Sequence, residues 1–164
     1  MRFTVHDLRE FSPDIARERI IAVFDMNHEK ALILIGHGNS TGTTACGVDA
    51  EMLPNSADLE ILWIYACNSA KRIASNLAKR GLTTFGFITD IIVPSRDLPS
   101  EIEQAQECVA PLEQVDSTDL YCRLRKKLFE FAKKSFQQGQ ILQAARVNHT
   151  RLSLRVFSPV EDCP

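Results

Sequence analysis

His37 and Cys67 are the two side chains whose types and settings could do covalent chemistry together. A cysteine attacks as its thiolate, and an imidazole within reach can take the proton and later hand it to a leaving group. Each residue closes an apolar run. One run is Ala31-Leu32-Ile33-Leu34-Ile35-Gly36-His37-Gly38, and the other is Leu59-Glu60-Ile61-Leu62-Trp63-Ile64-Tyr65-Ala66-Cys67. Glycine on both sides of His37 lets the backbone turn sharply and approach a ligand closely. The Gly38 amide, with that of Cys67, could then bind a developing oxyanion. A lone cysteine is most often a buried packing residue, and a lone histidine at a strand-to-loop turn means little. The pair, with matching lead-ins, is what points to nucleophilic catalysis.

The elements that must position this pair follow from the same runs. Both are short, rich in β-branched or aromatic residues, and bounded by turn residues, so both read as buried strands. Strands that are apolar throughout belong in a sheet covered on both faces. If the two are parallel neighbours, their carboxyl ends bring His37 and Cys67 to the sheet edge where ligands bind. Ser12-Pro13-Asp14 is a helix start, and Ala16, Ile20, Val23 and Phe24 follow at helical spacing to about Met26 or His28. Arg2 to Val5 reads as a short strand. Residues 38 to 58 read as loop, with a small hairpin arm at Thr43 to Cys46.

Asn68 and Ser69 read as caps of a helix with Ala70, Ile73, Ala74, Leu77 and Ala78 on its apolar face and Gly81 at its stop. The positive end of that helix should stabilise a thiolate at Cys67. Thr83 to Thr89 is the next strand, parallel to the one before it through a right-handed crossover. Beyond a loop from Asp90 come a helix from Pro99 to Ala110 and a longer one capped by Ser117 or Thr118 and ended by Gly139. A helix from Ile141 to Val147 and an edge strand from Leu152 to Phe157 complete the reading.

Composition narrows the field. The chain has 164 residues, enough for one domain spanning 1–164 with a real core. A net charge of -2 gives no global pull toward nucleic acid or a membrane surface. No apolar run nears the ~20 residues that cross a bilayer, and the N-terminal stretch lacks a secretory pattern. The five cysteines form no CxxC pair, which argues for reduced thiols in a cytoplasm and against structural zinc.

An apolar block ending in His-Gly, then one ending in Ala-Cys, resembles the signature of the caspase-like cysteine peptidases of clan CD. Tyr65-Ala66-Cys67-Asn68-Ser69-Ala70 is most similar to the bacterial CHAT branch. The likeness covers roughly residues 29 to 147 and is strong at the two motifs. It implies a three-layer α/β/α sandwich with a mostly parallel, caspase-like sheet. It also implies His37 as general base, Cys67 as nucleophile and Gly38 as oxyanion donor, with no metal or organic cofactor. The partners implied are a protein or peptide substrate and a regulatory protein, in bacterial stress or antiphage defence. The motifs are 67 minus 37, or 30, residues apart, shorter than the family pattern, which implies a reduced or missing helix between the two strands. Two further departures bear on substrate choice: Ala66, Tyr65 and Ile64 precede the cysteine where members that cut after basic residues carry an Asp, and Asn68 stands where caspases proper carry Arg.

Other readings stay open. The same fold could be a non-catalytic partner-binding or regulatory module, or an unrelated doubly wound domain could bind a small ligand at this edge. Asp90 and Asp97 follow the strand Thr83 to Thr89 and could line a pocket for a basic side chain, with solvated loop acids or caps as the competing reading. His149 has no partner in the sequence. Arg123, Arg125, Lys126, Lys127, Lys133 and Lys134 give the long helix a basic outer face that reads first as solvated.

Overall fold

A computed structural model describes residues 1–26, 30–43, 48–53, 58–92, 97–111 and 116–159. Five strands form one sheet: β1 (Thr4–Asp7), β2 (Ala31–Ile35), β3 (Ile61–Tyr65), β4 (Thr83–Phe87) and β5 (Leu154–Phe157). They lie in chain order; β1 to β4 are parallel, and β5 joins β4 antiparallel as an edge. All residues of β2, β3 and β4 are buried, as their apolar character requires of a sheet covered on both sides.

Strand alternation splits the core in two. Leu32, Leu34, Leu62 and Ile64 pack with α1 (Pro13–Met26) and α2 (Ile73–Ala78) through Ala16, Ile20, Phe24, Ile73 and Leu77. Ile33, Ile35, Trp63, Tyr65, Phe85 and Phe87 face α3 (Ser100–Val109), α4 (Ser117–Gln137) and α5 (Ile141–Ser153). The molecule is thus a three-layer α/β/α sandwich. The division follows from topology. In a sheet laid down in chain order, right-handed crossovers all fall on one face, so only segments after β4 can cover the other.

Local signals account for most boundaries. Pro13 takes the first helical position, and the Ser12 carbonyl accepts the Ala16 amide at 2.9 Å. On α4, Leu120, Leu124, Leu128, Ala132 and Ser135 recur at helical spacing and are buried. Gly139, at φ 76°, supplies the left-handed residue that stops it. Trp63 is fully buried, its ring 5.6–6.5 Å from those of Phe3, Tyr65, Phe85 and Phe87. Aromatic cores of this kind lose about 3–5 kcal/mol per ring truncated to Ala.

Three expectations are corrected. The helix after Cys67 begins at Ile73, not at Ala70, and its flanking residue Arg72 makes no side-chain cap. The cap of α4 is Asp116, whose carboxylate accepts the amides of Thr118 and Asp119, and not Ser117 or Thr118. Helix α5 runs on to Ser153, directly into β5. The hairpin arm expected at Thr43 to Cys46 falls largely outside the described residues. A 3-10 turn at Ala50–Met52, held by the Asp49 carboxylate, occupies part of the β2–β3 connection. Among the described residues, no helix is long and apolar enough to cross a membrane.

Candidate functional site

The register of β2 on β3 sets the geometry. Ile35 pairs with Tyr65, and the Gly36 amide extends the ladder to the Tyr65 carbonyl at 3.2 Å. His37 and Cys67 each lie two residues past that last pair, so neighbouring strands deliver both to one rim. Alternation places both positions on the side of Ile33, Ile35, Trp63 and Tyr65, facing the α3–α5 layer. Cys67 is half-buried and packs against that core; His37 is exposed.

The turn carrying the thiol is tied down from three sides. Its amides go to the end of β4: Asn68 N–H donates to the Thr89 carbonyl at 3.0 Å and Ala70 N–H to the Phe87 carbonyl at 2.9 Å. Ser69 is buried, donates from Oγ to the Ile64 carbonyl at 2.9 Å and accepts the Phe87 amide at 3.1 Å. Asn68 sits in the left-handed region at φ 57°. These bonds explain why no helix starts here. The amides a helix would leave free are taken by the neighbouring strand, so a helix macrodipole does not reach Cys67. Gly38 and Gly42 crowd the same turn. A Cβ on Gly38 would land inside the Cys67 carbonyl oxygen, and one on Gly42 inside the Asn68 carbonyl oxygen.

The sulfur is held by the segment following β4. Ile91 N–H donates to Sγ at 3.4 Å, and Sγ lies 3.6 Å from the Ile91 carbonyl oxygen, to which the thiol donates. Among the described residues, the His37 imidazole forms no hydrogen bond to the sulfur or to anything else. The strand ends are together while the two side chains are not engaged. Asp90 sits beside this turn, and its Oδ1 accepts from Asn68 Nδ2 at 2.6 Å. Its carboxylate is therefore already occupied within the site. Asp97 is exposed, and its carbonyl accepts from Arg9 at 3.3 Å.

His149 is the residue that reasoning from sequence passed over. Its Nε2 lies 2.9 Å from the Asp90 carbonyl oxygen, which can only accept, so Nε2 carries the proton; Thr89 Oγ1 is 3.4 Å away. A signal existed. A helix running straight into an antiparallel partner of β4 must end at the carboxyl rim of β4. Thr89 Oγ1 also donates to Ser153 Oγ at 2.9 Å, so two residues of α5 hold the segment that holds the thiol.

Beneath the rim lies a buried polar group. Glu101 is fully buried and pairs with Arg146 at 3.2 Å, which also donates to Ser100 Oγ at 3.1 Å. Among the described residues, the buried Tyr65 hydroxyl makes no hydrogen bond of good geometry, with Glu101 and Thr150 beside it. Burial, reinforced by the Glu101 charge, holds its pKa well above the usual phenol value. Between Ile92, in the segment after β4, and α5 opens a cleft of about 740 Å³ lined also by Leu142, Gln143, Ala145, Arg146 and His149. Among the described residues, no group of three His, Cys, Asp or Glu side chains could hold a metal ion.

Comparison with protein-family models, with curated proteins and with solved structures finds no match.

Proposed function

We propose that this chain is a caspase-like cysteine endopeptidase acting through His37 and Cys67. One observation carries the reading: both residues lie at the same register offset beyond adjacent parallel strands, where strand alternation puts both positions on the same side of the sheet. In the reaction, the His37 imidazole takes the thiol proton and Sγ attacks the scissile carbonyl carbon, forming a C–S bond. The oxyanion is held by the amides of Gly38 and Cys67. The C–N bond breaks as the imidazolium gives its proton to the leaving amine, leaving a thioester. Water, deprotonated by the imidazole, then displaces sulfur to give the carboxylic acid and the free thiol. For this, the His37 ring has to turn onto Sγ and the thiol has to leave the Ile91 carbonyl. Catalytic hydrogen bonds are often slack without substrate. Cys67, Cys108 and Cys122 are free thiols, which fits a cytoplasmic setting.

The test is labelling with a thiol-reactive peptide electrophile. Cys67 should react faster than Cys122, which is exposed, and far faster than Cys108, whose thiol is buried and pushed up in pKa by that burial. His37→Ala should remove the advantage. Equal rates at Cys67 and Cys122, unchanged by His37→Ala, would end the peptidase reading.

A second reading has its own support. The engagement of Sγ by the Ile91 main chain, with His37 unbonded, fits a non-catalytic module that binds a regulatory protein partner. It is favoured if Cys67 stays unreactive toward every electrophile.

A further inference from the structure

The cleft between the segment after β4 and α5 begins where the thiol's own contacts end. Ile91 touches Sγ with its main chain, and the next residue, Ile92, lines the cleft. His149 lines it too, while its Nε2 grips the carbonyl of Asp90, one residue before Ile91. A peptide whose carbonyl carbon rests on Sγ therefore has this cleft within one side chain's reach.

The walls state what kind of side chain. Ile92 is 65% exposed and Leu142 87% exposed, and Ala145 of α5 also lines the cleft. Two large apolar side chains exposed on one cleft give it a wall suited to an apolar group. The neighbouring charges are already engaged. The Arg146 guanidinium is bound to Glu101 and Ser100, and the Asp90 carboxylate to Asn68. Neither is free to pair with an ionic substrate group. The volume falls in the range of pockets that bury small ligands.

The geometry points to this cleft as the specificity subsite of the peptidase, taking an apolar side chain of leucine or phenylalanine size from the acyl side of the scissile bond. The inference rests on the peptidase reading and assigns its substrate class: peptides cut after an apolar residue. Ile92, Leu142 and Ala145 are its specificity-determining residues, and His149 positions the segment that links it to the thiol.

The experiment uses three acetylated dipeptidyl acyloxymethyl ketones that differ only in the residue next to the electrophile: leucine, lysine or aspartate. Each Cys67 alkylation rate is divided by the rate with iodoacetamide, which has no side chain to place. The leucyl probe should exceed the other two by about tenfold or more. Leu142→Glu should lower the leucyl ratio by about tenfold and raise the lysyl one. Ile15→Glu, on the exposed side of α1, should change neither. Selective labelling of Cys67 with equal ratios for all three probes would overturn the subsite and leave the peptidase reading standing. A wild type that self-associates, a Leu142→Glu variant that does not, and no leucyl preference would assign the face to a second copy of the chain and likewise overturn it. If Cys67 shows no advantage over Cys122 with any probe, the peptidase reading falls and the subsite with it.

Discussion

Asp90 holds Asn68 by its side chain: Nδ2 donates to Oδ1 across 2.6 Å, with Asn68 in a left-handed backbone conformation directly after the thiol. Asparagine is among the few residues other than glycine that accept this region, and here its amide also fixes the turn to the segment after β4. The pair is thus a clamp on the backbone from which Cys67 projects.

Asn68→Gly keeps the conformation and loses the bond, whereas Asn68→Ala loses both. The alanine variant should be less stable than the glycine variant by about 1 kcal/mol. Urea unfolding of the two measures the difference, and a glycine variant that is the weaker of the pair would contradict the left-handed conformation at this turn.

Gly38→Ala should disturb the site more than any exposed change nearby. Its new methyl group meets the carbonyl oxygen of Cys67, a backbone atom that cannot swing aside. The expected cost is about 1–3 kcal/mol, the range for overpacking. The electrophile advantage of Cys67 should disappear as the two strand ends are pushed apart. A variant with wild-type urea midpoint and wild-type labelling rate would show that the strand ends are looser than described.

Arg146→Met leaves the fully buried Glu101 carboxylate without its cation. Removing one partner of a buried pair costs about 3–5 kcal/mol, while replacing both by apolar residues is often neutral. Glu101→Leu combined with Arg146→Met should therefore unfold at a higher urea concentration than Arg146→Met alone. The opposite order would mean that Glu101 has some other stabilising role in this layer.

His6 gives the fold a pH dependence of known sign. Burial holds its pKa below the ordinary 6.5, so the unfolded chain binds a proton more readily than the folded one. Its contribution is complete above about pH 6.5 and is lost progressively as pH falls from there through the lowered folded value. Between about pH 8 and about pH 5, His6→Gln should lose less stability than the wild type. Parallel slopes for the two proteins would remove His6 as the cause.

The sheet was readable from sequence because β2 and β3 are apolar without interruption, and only a two-faced sheet wants such strands. The α4 stripe was readable for the same reason at another period. The turn after Cys67 was not. Asn68 and Ser69 have the chemistry of helix caps, and only the arrival of β4 beside them diverts the Asn68 amide to Thr89, the Ala70 amide to Phe87 and the Ser69 hydroxyl to the Phe87 amide and the Ile64 carbonyl. Asp116 was masked by two equally plausible hydroxyls that follow it. His149 met its partner through the pairing of Phe87 with Leu154, residues far apart in sequence, which local pattern does not encode.

A sheet whose strands stand in chain order also has an order of completion. As the chain leaves a ribosome, β1 to β4 can assemble with α1 and α2 by the time residue 92 is free, giving a slab finished on one side only. Trp63, Tyr65, Phe85 and Phe87 stay bare until α3 to α5 have been made and laid over them. The half-made product would be sticky and would show its thiol to any oxidant, so release of the segment carrying α3 to β5 is the step at which both hazards end.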